Sequence, residues 1–340
     1  MEPNDQKHVL LTDTTLRDGN HAVAHQLSLD NIAGYCRLAE KAAVPIVEIG
    51  HGNGLGASSL QVGLASNSDL AMLQTARSNL MTTKLGIHVI PGFATIDRDL
   101  KPALDCGVDV VRVAAHCTEA DITERHIGFC REQGKNVFGV LMMSHMATPV
   151  QLCEEAKKME AYGAEAIIIM DSAGAYLPED VRERIIKMKD NLGIPVGFHA
   201  HNNLGLAIAN TLTAIAAGAS LADGSVRGFG AGAGNAQLEV LVAVLQKLGI
   251  NSSVGLFPIL DAADYAETHF IRVLPVIQSL SVVSGLAGVF SGFSKPVVRC
   301  AEEQGVDARD IFFELGRRKA VAGQEDLILE VALSLKKQKG

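Results

Sequence analysis

Three polar clusters in a largely apolar chain have the residue types and spacing for chemistry. The first is His199-Ala200-His201, at the end of Val196-Gly-Phe. Residues two apart on a strand point to the same side, so both imidazoles share one face and make half of a metal site. Alone, such a pair is more often two hydrogen-bonded residues at a strand end. The reading needs a third ligand.

The second cluster supplies one. Thr14-Thr-Leu-Arg-Asp-Gly-Asn-His21 follows Val9-Leu-Leu and brings Arg17, Asp18 and His21 within five residues. Asp18 can complete a two-His, one-carboxylate site, leaving about three positions of an octahedral ion for substrate and water. Mixed nitrogen and oxygen ligation with open positions suits Mn2+, Fe2+, Co2+ or Mg2+ better than closed structural zinc. The plain alternative is an Arg17–Asp18 ion pair at the surface.

The third cluster is looser. Asp171-Ser172-Ala173-Gly174 ends the run Ala166–Met170. Ser172 could donate to a substrate carboxylate, and Asp171 could orient a ligand or a backbone turn. In Arg227–Asn235, Gly228, Gly230, Gly232 and Gly234 would let backbone N–H groups approach an anion. That spacing is not a G-x-G-x-x-G dinucleotide fingerprint. Asn235 reads as a cap for the next helix in preference to support for the metal. His51, His88, His116 and His145 are further candidates, each more readily a hydrogen-bonded structural residue than a ligand. Cys117 gives no reason to be a nucleophile.

These residues must be positioned by alternating elements. Strands begin near Val9, Pro45, Leu85, Val108, Asn136, Ala166, Pro195 and Ser220, at the spacing of about 30 residues that a βαβ unit needs. Helical patterns cover Leu29–Ala43, Thr148–Tyr162, Pro178–Asn191 and Leu204–Ala217, with Ser28 and Thr148 as N-caps. Gly163, Gly193 and Gly218 stand where a left-handed residue ends a helix. An open doubly wound sheet and a closed barrel both accommodate this alternation. Asp18, His51, His116, His145, Asp171, His199 and His201 all follow apolar runs, which is where a barrel builds its active site. The expectation is an α/β fold: a (β/α)8 TIM barrel over 1–250 as catalytic domain and a C-terminal helical extension over 251–340. Pro258–Phe270, Lys295–Gln304 and Glu325–Lys337 read as helices of that extension. It could cap the barrel base, or close the site and dock a partner.

Composition narrows the class. With 48% hydrophobic and 20% charged residues, 340 residues can bury a sizeable core and are not a disordered chain. With 11 Phe, 4 Tyr and no Trp, that core must be aliphatic. A net charge of −8 argues against a general nucleic-acid or anionic-membrane binder. The six cysteines form no C-x-x-C pair, and Met1–His8 carries no signal-peptide pattern, so the expectation is a cytoplasmic protein with reduced thiols. Leu204–Ala222, the most apolar run, is broken by Asn210, Thr211, Thr213 and Ser220 and reads as a helix and turn, not a membrane span.

Thr15-Leu-Arg-Asp-Gly19 with His199-Ala-His201 resembles the HMG-CoA lyase-like metallolyases, which include isopropylmalate and homocitrate synthases. His51–Ser59, Ala115–Asp121, Leu141–Ala147, Asp171–Gly174, Gly230–Asn235, Glu314–Arg318 and Gly323–Asp326 extend the resemblance toward the pyruvate-specific class II aldolases. It implies a divalent metal, usually Mn2+ (Co2+ or Mg2+ are alternatives), bound by Asp18, His199 and His201. A 4-hydroxy-2-oxoacid such as 4-hydroxy-2-oxovalerate would be cleaved to pyruvate and an aldehyde. His21 would be the base, with Arg17 and the metal stabilising the pyruvate enolate and Ser172 holding the carboxylate. It further implies a role in aromatic hydrocarbon catabolism and a tail that docks an acylating aldehyde dehydrogenase in a heterotetramer.

Within that resemblance Phe290 stands where the aldolases carry a substrate-contacting tyrosine, and His88 where an aliphatic residue is usual. Gly292 and Ser294 depart from the usual serine and leucine. These motivate a larger, polar or aromatic aldehyde, or another 2-oxoacid, as an alternative. A Claisen-type synthase or lyase acting on an acyl-CoA is the other.

Overall fold

Each strand of this chain is short, and its inward and outward residues differ sharply in character. In the computed structural model, which describes residues 7–321 and 323–339, eight parallel strands close in chain order into a barrel. Most of the segment read above for a signal peptide lies outside the described residues. The order is β1 (Leu10–Asp13), α1 (Leu29–Lys41), β2 (Ile46–Glu48), α2 (Asp69–Arg77), β3 (Lys84–Val89), α3 (Lys101–Asp105), β4 (Val110–His116) and α4 (Glu124–Glu132). There follow β5 (Asn136–Met142), α5 (Pro149–Ala161), β6 (Ala166–Asp171), α6 (Pro178–Lys189), β7 (Val196–Ala200), α7 (Ala207–Ala217), β8 (Leu221–Gly224) and α8 (Leu238–Lys247). The (β/α)8 expectation is correct, and every strand starts within two residues of its predicted start. Closure is made by β1 on β8, with Leu10 opposite Leu221 and Asp13 opposite Gly224.

The period-two alternation separates two cores. Val111, Val113, Ile167, Ile169 and Phe198 face the helices in the large cluster, whereas Ile46, Val110, Phe138, Ile168, Met170 and Leu221 fill the barrel interior. Burying each large aliphatic there contributes about 1.5–3 kcal/mol, and Ile168→Ala would cost about 2–5 kcal/mol. Gly197 takes an inward position without a side chain, because a β-carbon there would come within 2.8 Å of Leu221. Above that apolar floor the inward positions turn polar.

Local signals act as expected. Ser28 and Thr148 each close a capping box on α1 and α5. Gly163 and Gly218 adopt φ of 108° and 116° after α5 and α7. Gly193 is different: it is not left-handed, and its N–H donates to Glu160 Oε1 at 2.7 Å.

Beyond α8 come α9 (Leu256–His269), α10 (Ser279–Ala287), α11 (Ser294–Gln304), α12 (Ala308–Arg317) and α13 (Asp326–Lys339). Helix α9 buries Ile259, Ala262, Ala263 and Ala266 in the barrel's outer core. Helices α10–α13 have their own core around Phe293, Val297, Ile311, Phe312, Leu315 and Val331. This second core meets the loops that follow β5 and β7. The ring Nε2–H of His145 donates to Gly288 O at 2.8 Å, and Asn203 takes Ser291 Oγ–H at 3.0 Å while donating to Ser281 O at 3.3 Å. Of the two placements left open, α10–α13 take the barrel mouth, whereas α9 packs on the outside of the barrel. Among the described residues no helix is long and apolar enough to cross a membrane.

Candidate active site

Asp18 lies in a tight turn after β1, its N–H donating to Thr14 O at 2.8 Å. His199 is on the inward face of β7, and His201 is just beyond the strand. Among the described residues, these three form the one group of His, Cys, Asp or Glu side chains able to hold a metal ion. Each offers a ligand atom within 4.8 Å of the others, and all three are buried. Asp18 receives Arg17 Nη1–H at 2.8 Å on one oxygen and Asn235 Nδ2–H at 2.7 Å on the other. Gly230 leaves room for it, since a β-carbon there would stand 2.6 Å from Asp18 Oδ2. Burial opposes the charge of Asp18, but Arg17, His201 and His199 outweigh it and hold the carboxyl below the usual range.

The histidines are left with unused nitrogens. His199 Nδ1–H donates to Asp223 Oδ2 at 2.9 Å, which fixes the tautomer and leaves Nε2 buried with no partner; His201 Nδ1 is also buried and unpartnered. An orphaned buried acceptor costs about 1–3 kcal/mol. A carboxylate oxygen together with two such imidazoles is a donor set for a divalent ion. The residues present fit the group.

The interior above the apolar floor is a circuit of ion pairs. Arg17 Nε–H donates to Glu48 Oε2 at 2.8 Å, and Arg112 Nη1–H donates to the same oxygen at 3.2 Å. Arg112 Nη2 bonds Asp223, which returns to His199. Arg17, Glu48, Arg112 and Asp223 are all buried, as is Asp18. Arg17 Nη1 also reaches Gly52 O at 3.3 Å, while its Nη2 is buried without a partner. His88, a residue beyond any ligand pattern, lies beside this circuit with Nδ1 3.6 Å from Glu48 Oε1.

His21 closes the short turn Asp18–His21 and is half-buried against Gly52. Burial pushes its imidazole down to about 4, with Arg17 and His51 adding to that and Asp18 opposing. The ring is therefore neutral near pH 7. Ser172 is buried and accepts from Met143 N–H at 3.0 Å, which leaves its own hydroxyl hydrogen free to turn. Asp171 organises a turn, accepting from Ala175 and Tyr176 N–H at 2.9 and 3.1 Å.

Phe290 is not gathered into this cluster. Its ring packs edge-on against Phe293 at 6.0 Å, within the core of the extension. The next residue, Ser291, makes the contact with Asn203 at the mouth. His51 is spent on the backbone, bonding Gly63 O and Asn53 N–H at 3.1 Å each, and His116 bonds Thr118. Burial pushes the Cys117 thiol up to about 12, so it is no nucleophile. Asn235 does not cap α8, whose N-cap is Gln237; it braces Asp18 instead. Glu48, Arg112 and Asp223 escaped the sequence reading. Their signal was a charge at an inward position of an apolar strand.

Residues 8–265 match the HMGL-like family, and residues 275–337 match the DmpG-like communication domain. The chain is 70% identical over 336 residues to the 4-hydroxy-2-oxovalerate aldolase of Spirochaeta aurantia, covering 99% of this chain and 98% of that protein. The chain belongs to the HMGL-like family, in its 4-hydroxy-2-oxovalerate aldolase branch. Another aldolase of this branch, from Pectobacterium atrosepticum, is 60% identical, over 98% of this chain and 97% of its own length. The carboxyl transferase domain of Rhizobium etli pyruvate carboxylase, solved with pyruvate and biocytin, shares the fold. It superposes with a TM-score of 0.82 at 18% identity, over 98% of this chain and 61% of that one. Aldolase relatives along the whole chain do not favour the acyl-CoA alternative or an altered aldehyde or 2-oxoacid partner.

Proposed function

We propose that this chain is a divalent-metal-dependent aldolase, a carbon–carbon lyase, that cleaves a 4-hydroxy-2-oxoacid such as 4-hydroxy-2-oxovalerate into pyruvate and an aldehyde, or forms it in reverse. The observation that carries the reading is the buried triad Asp18, His199 and His201, with Arg17 and His21 beside it. The triad would hold the ion; open positions and mixed ligands favour Mn2+, with Co2+ or Mg2+ as substitutes. The chemistry that such an ion supplies when bound is Lewis-acid polarisation of a 2-oxo group.

The chain's own groups do the rest. His21 is a neutral imidazole at working pH, the form that accepts the C4 hydroxyl proton as the C3–C4 bond breaks. The electron pair from that bond moves onto the pyruvate fragment. Arg17 Nη2, which has no other partner, donates to the oxygen where that negative charge gathers. Asp18 and His199 border the same substrate face, and the Ser172 hydroxyl holds the carboxylate. Phe290 is proposed on the aldehyde side, through the segment that reaches the mouth at Ser291.

The helices from Leu256 onward divide into α9, which shares the barrel core, and the α10–α13 unit over the mouth. We assign that unit the docking of an acylating aldehyde dehydrogenase, which would take the aldehyde on. The match to a communication domain over 275–337 supports this. The place of work would be the cytoplasm, in keeping with six free cysteines.

The test is pyruvate release from 4-hydroxy-2-oxovalerate by the purified chain, read through a coupled NADH assay. Activity that EDTA abolishes and Mn2+ restores is the expected result. No pyruvate release with any divalent ion would overturn the reading.

A further inference from the structure

Three anionic and two cationic side chains are buried together in the upper barrel, yet only Arg17 and Asp18 are at the reacting end. Glu48, Arg112 and Asp223 are not members of the candidate metal triad and reach it only through Arg17 and His199. We propose that these three are positioning residues: they form one circuit that sets the His199 ring and the Arg17 guanidinium relative to each other, and so holds the triad ready for a divalent ion. The inference rests on the metal-dependent reading above.

The circuit closes on itself. From Asp18 it runs to Arg17 at 2.8 Å, to Glu48 at 2.8 Å, to Arg112 at 3.2 Å, to Asp223, and to His199 at 2.9 Å. Its two ends, Asp18 and His199, belong to one triad. Asp223 sets which nitrogen of His199 is bare, and a carboxylate in that position orients a ligand ring and raises its basicity. Arg112 is the keystone, because its fork bonds Glu48 through Nη1 and Asp223 through Nη2. A lysine, a single point charge, cannot hold both in plane. Glu48 Oε2 in turn is shared by the two arginines, so Arg17 cannot move without disturbing Arg112.

Charge points the same way. The circuit joins three carboxylates, Asp18, Glu48 and Asp223, to two guanidiniums, Arg17 and Arg112. Uncompensated buried charge is costly.

A purely structural staple across β1, β2, β4, β7 and β8 would change the melting temperature but leave metal affinity alone. The deciding experiment is Mn2+ titration calorimetry on the metal-stripped full chain, wild type beside D223N, R112M, R112K and E48Q, with circular dichroism and melting temperature as fold controls. D223N and R112M are expected to weaken Mn2+ binding by about 10–100-fold, although neither residue is a ligand. R112K should fall between R112M and wild type, and E48Q should also raise KM for the 2-oxoacid through Arg17. Folded D223N and R112M that bind Mn2+ within about twofold of wild type would overturn the circuit. If R112M does not fold, R112K decides on the same criterion. Wild-type protein that binds no Mn2+ would sink the metal reading itself, a separate and distinguishable outcome.

Discussion

A β-carbon on Gly52 would stand 2.5 Å from the ring of His21. The absence of a side chain after β2 therefore sets where the proposed base lies. The same glycine's carbonyl accepts from Arg17 at 3.3 Å. Gly52→Ala should push the imidazole aside, and a misplacement near 1 Å can cost about 10²-fold in rate. Steady-state kinetics with metal analysis should show kcat reduced by that order and Mn2+ content intact. Wild-type kcat in Gly52→Ala would mean that the ring's placement is irrelevant.

Removing the ring altogether tests its role directly. His21→Ala should lower kcat by about 10²–10⁴-fold, the usual worth of a general base, while Mn2+ affinity is retained. Undiminished cleavage would take His21 out of the reaction.

Asp18→Asn should behave in the opposite way. It keeps the shape of a side chain braced by Asn235 at 2.7 Å but loses the anionic ligand. Elemental analysis after dialysis should show metal lost along with activity. Full metal content would refute Asp18 as a ligand.

Glu40 provides a pH signature remote from the site. Slight burial works against its charge, but the Thr82 hydroxyl and the N–H groups of Thr83, Thr82 and Met81 outweigh that and hold the carboxyl down to about 2. Its folded value lies below the unfolded one, so its stabilisation is present above the ordinary carboxylate range and is lost as pH falls toward 2. The melting-temperature gap between wild type and Glu40→Gln should be full at pH 7 and shrink steadily below about pH 4. A gap independent of pH between 7 and 3 would contradict this.

Asn203 ties the extension to the barrel. Asn203→Ala leaves the buried Ser291 hydroxyl without its acceptor, with a cost of about 1–3 kcal/mol. Limited proteolysis between α9 and α10 should accelerate while barrel fragments stay protected. Unchanged cleavage would show that the other contacts suffice.

Much of this was legible in the sequence, for identifiable reasons. The strands announced themselves because each apolar run is bounded by polar residues, and Asp18, His199 and His201 stood out as metal-binding types at strand ends. Arg112 did not, because a cation inside Val110-Val-Arg-Val reads as an interruption until closure supplies Glu48 and Asp223 from β2 and β8. Helix α10, Ser-Leu-Ser-Val-Val-Ser-Gly-Leu-Ala, was missed because serine, valine and glycine are indifferent helix formers. It is stabilised by packing on α12, a tertiary fact. The role of Asn235 was also hidden, since Asp18 approaches it from the other end of the barrel sequence.

The buried ion pairs are unevenly spread around the barrel. They tie the turn after β1 to β2, β4, β7 and β8, while β5 and the turn after β6 contribute Met142 and Ser172 and no member of the circuit. One arc of the rim is thus locked by mutual dependence, where a single substitution disturbs several partners. The opposite arc is held instead by neutral hydrogen bonds, Met143 N–H to Ser172 Oγ and Ser144 Oγ–H to Met170 O. Charge coupling on one side and neutral hydrogen bonds on the other therefore divide the mouth into two separately organised halves.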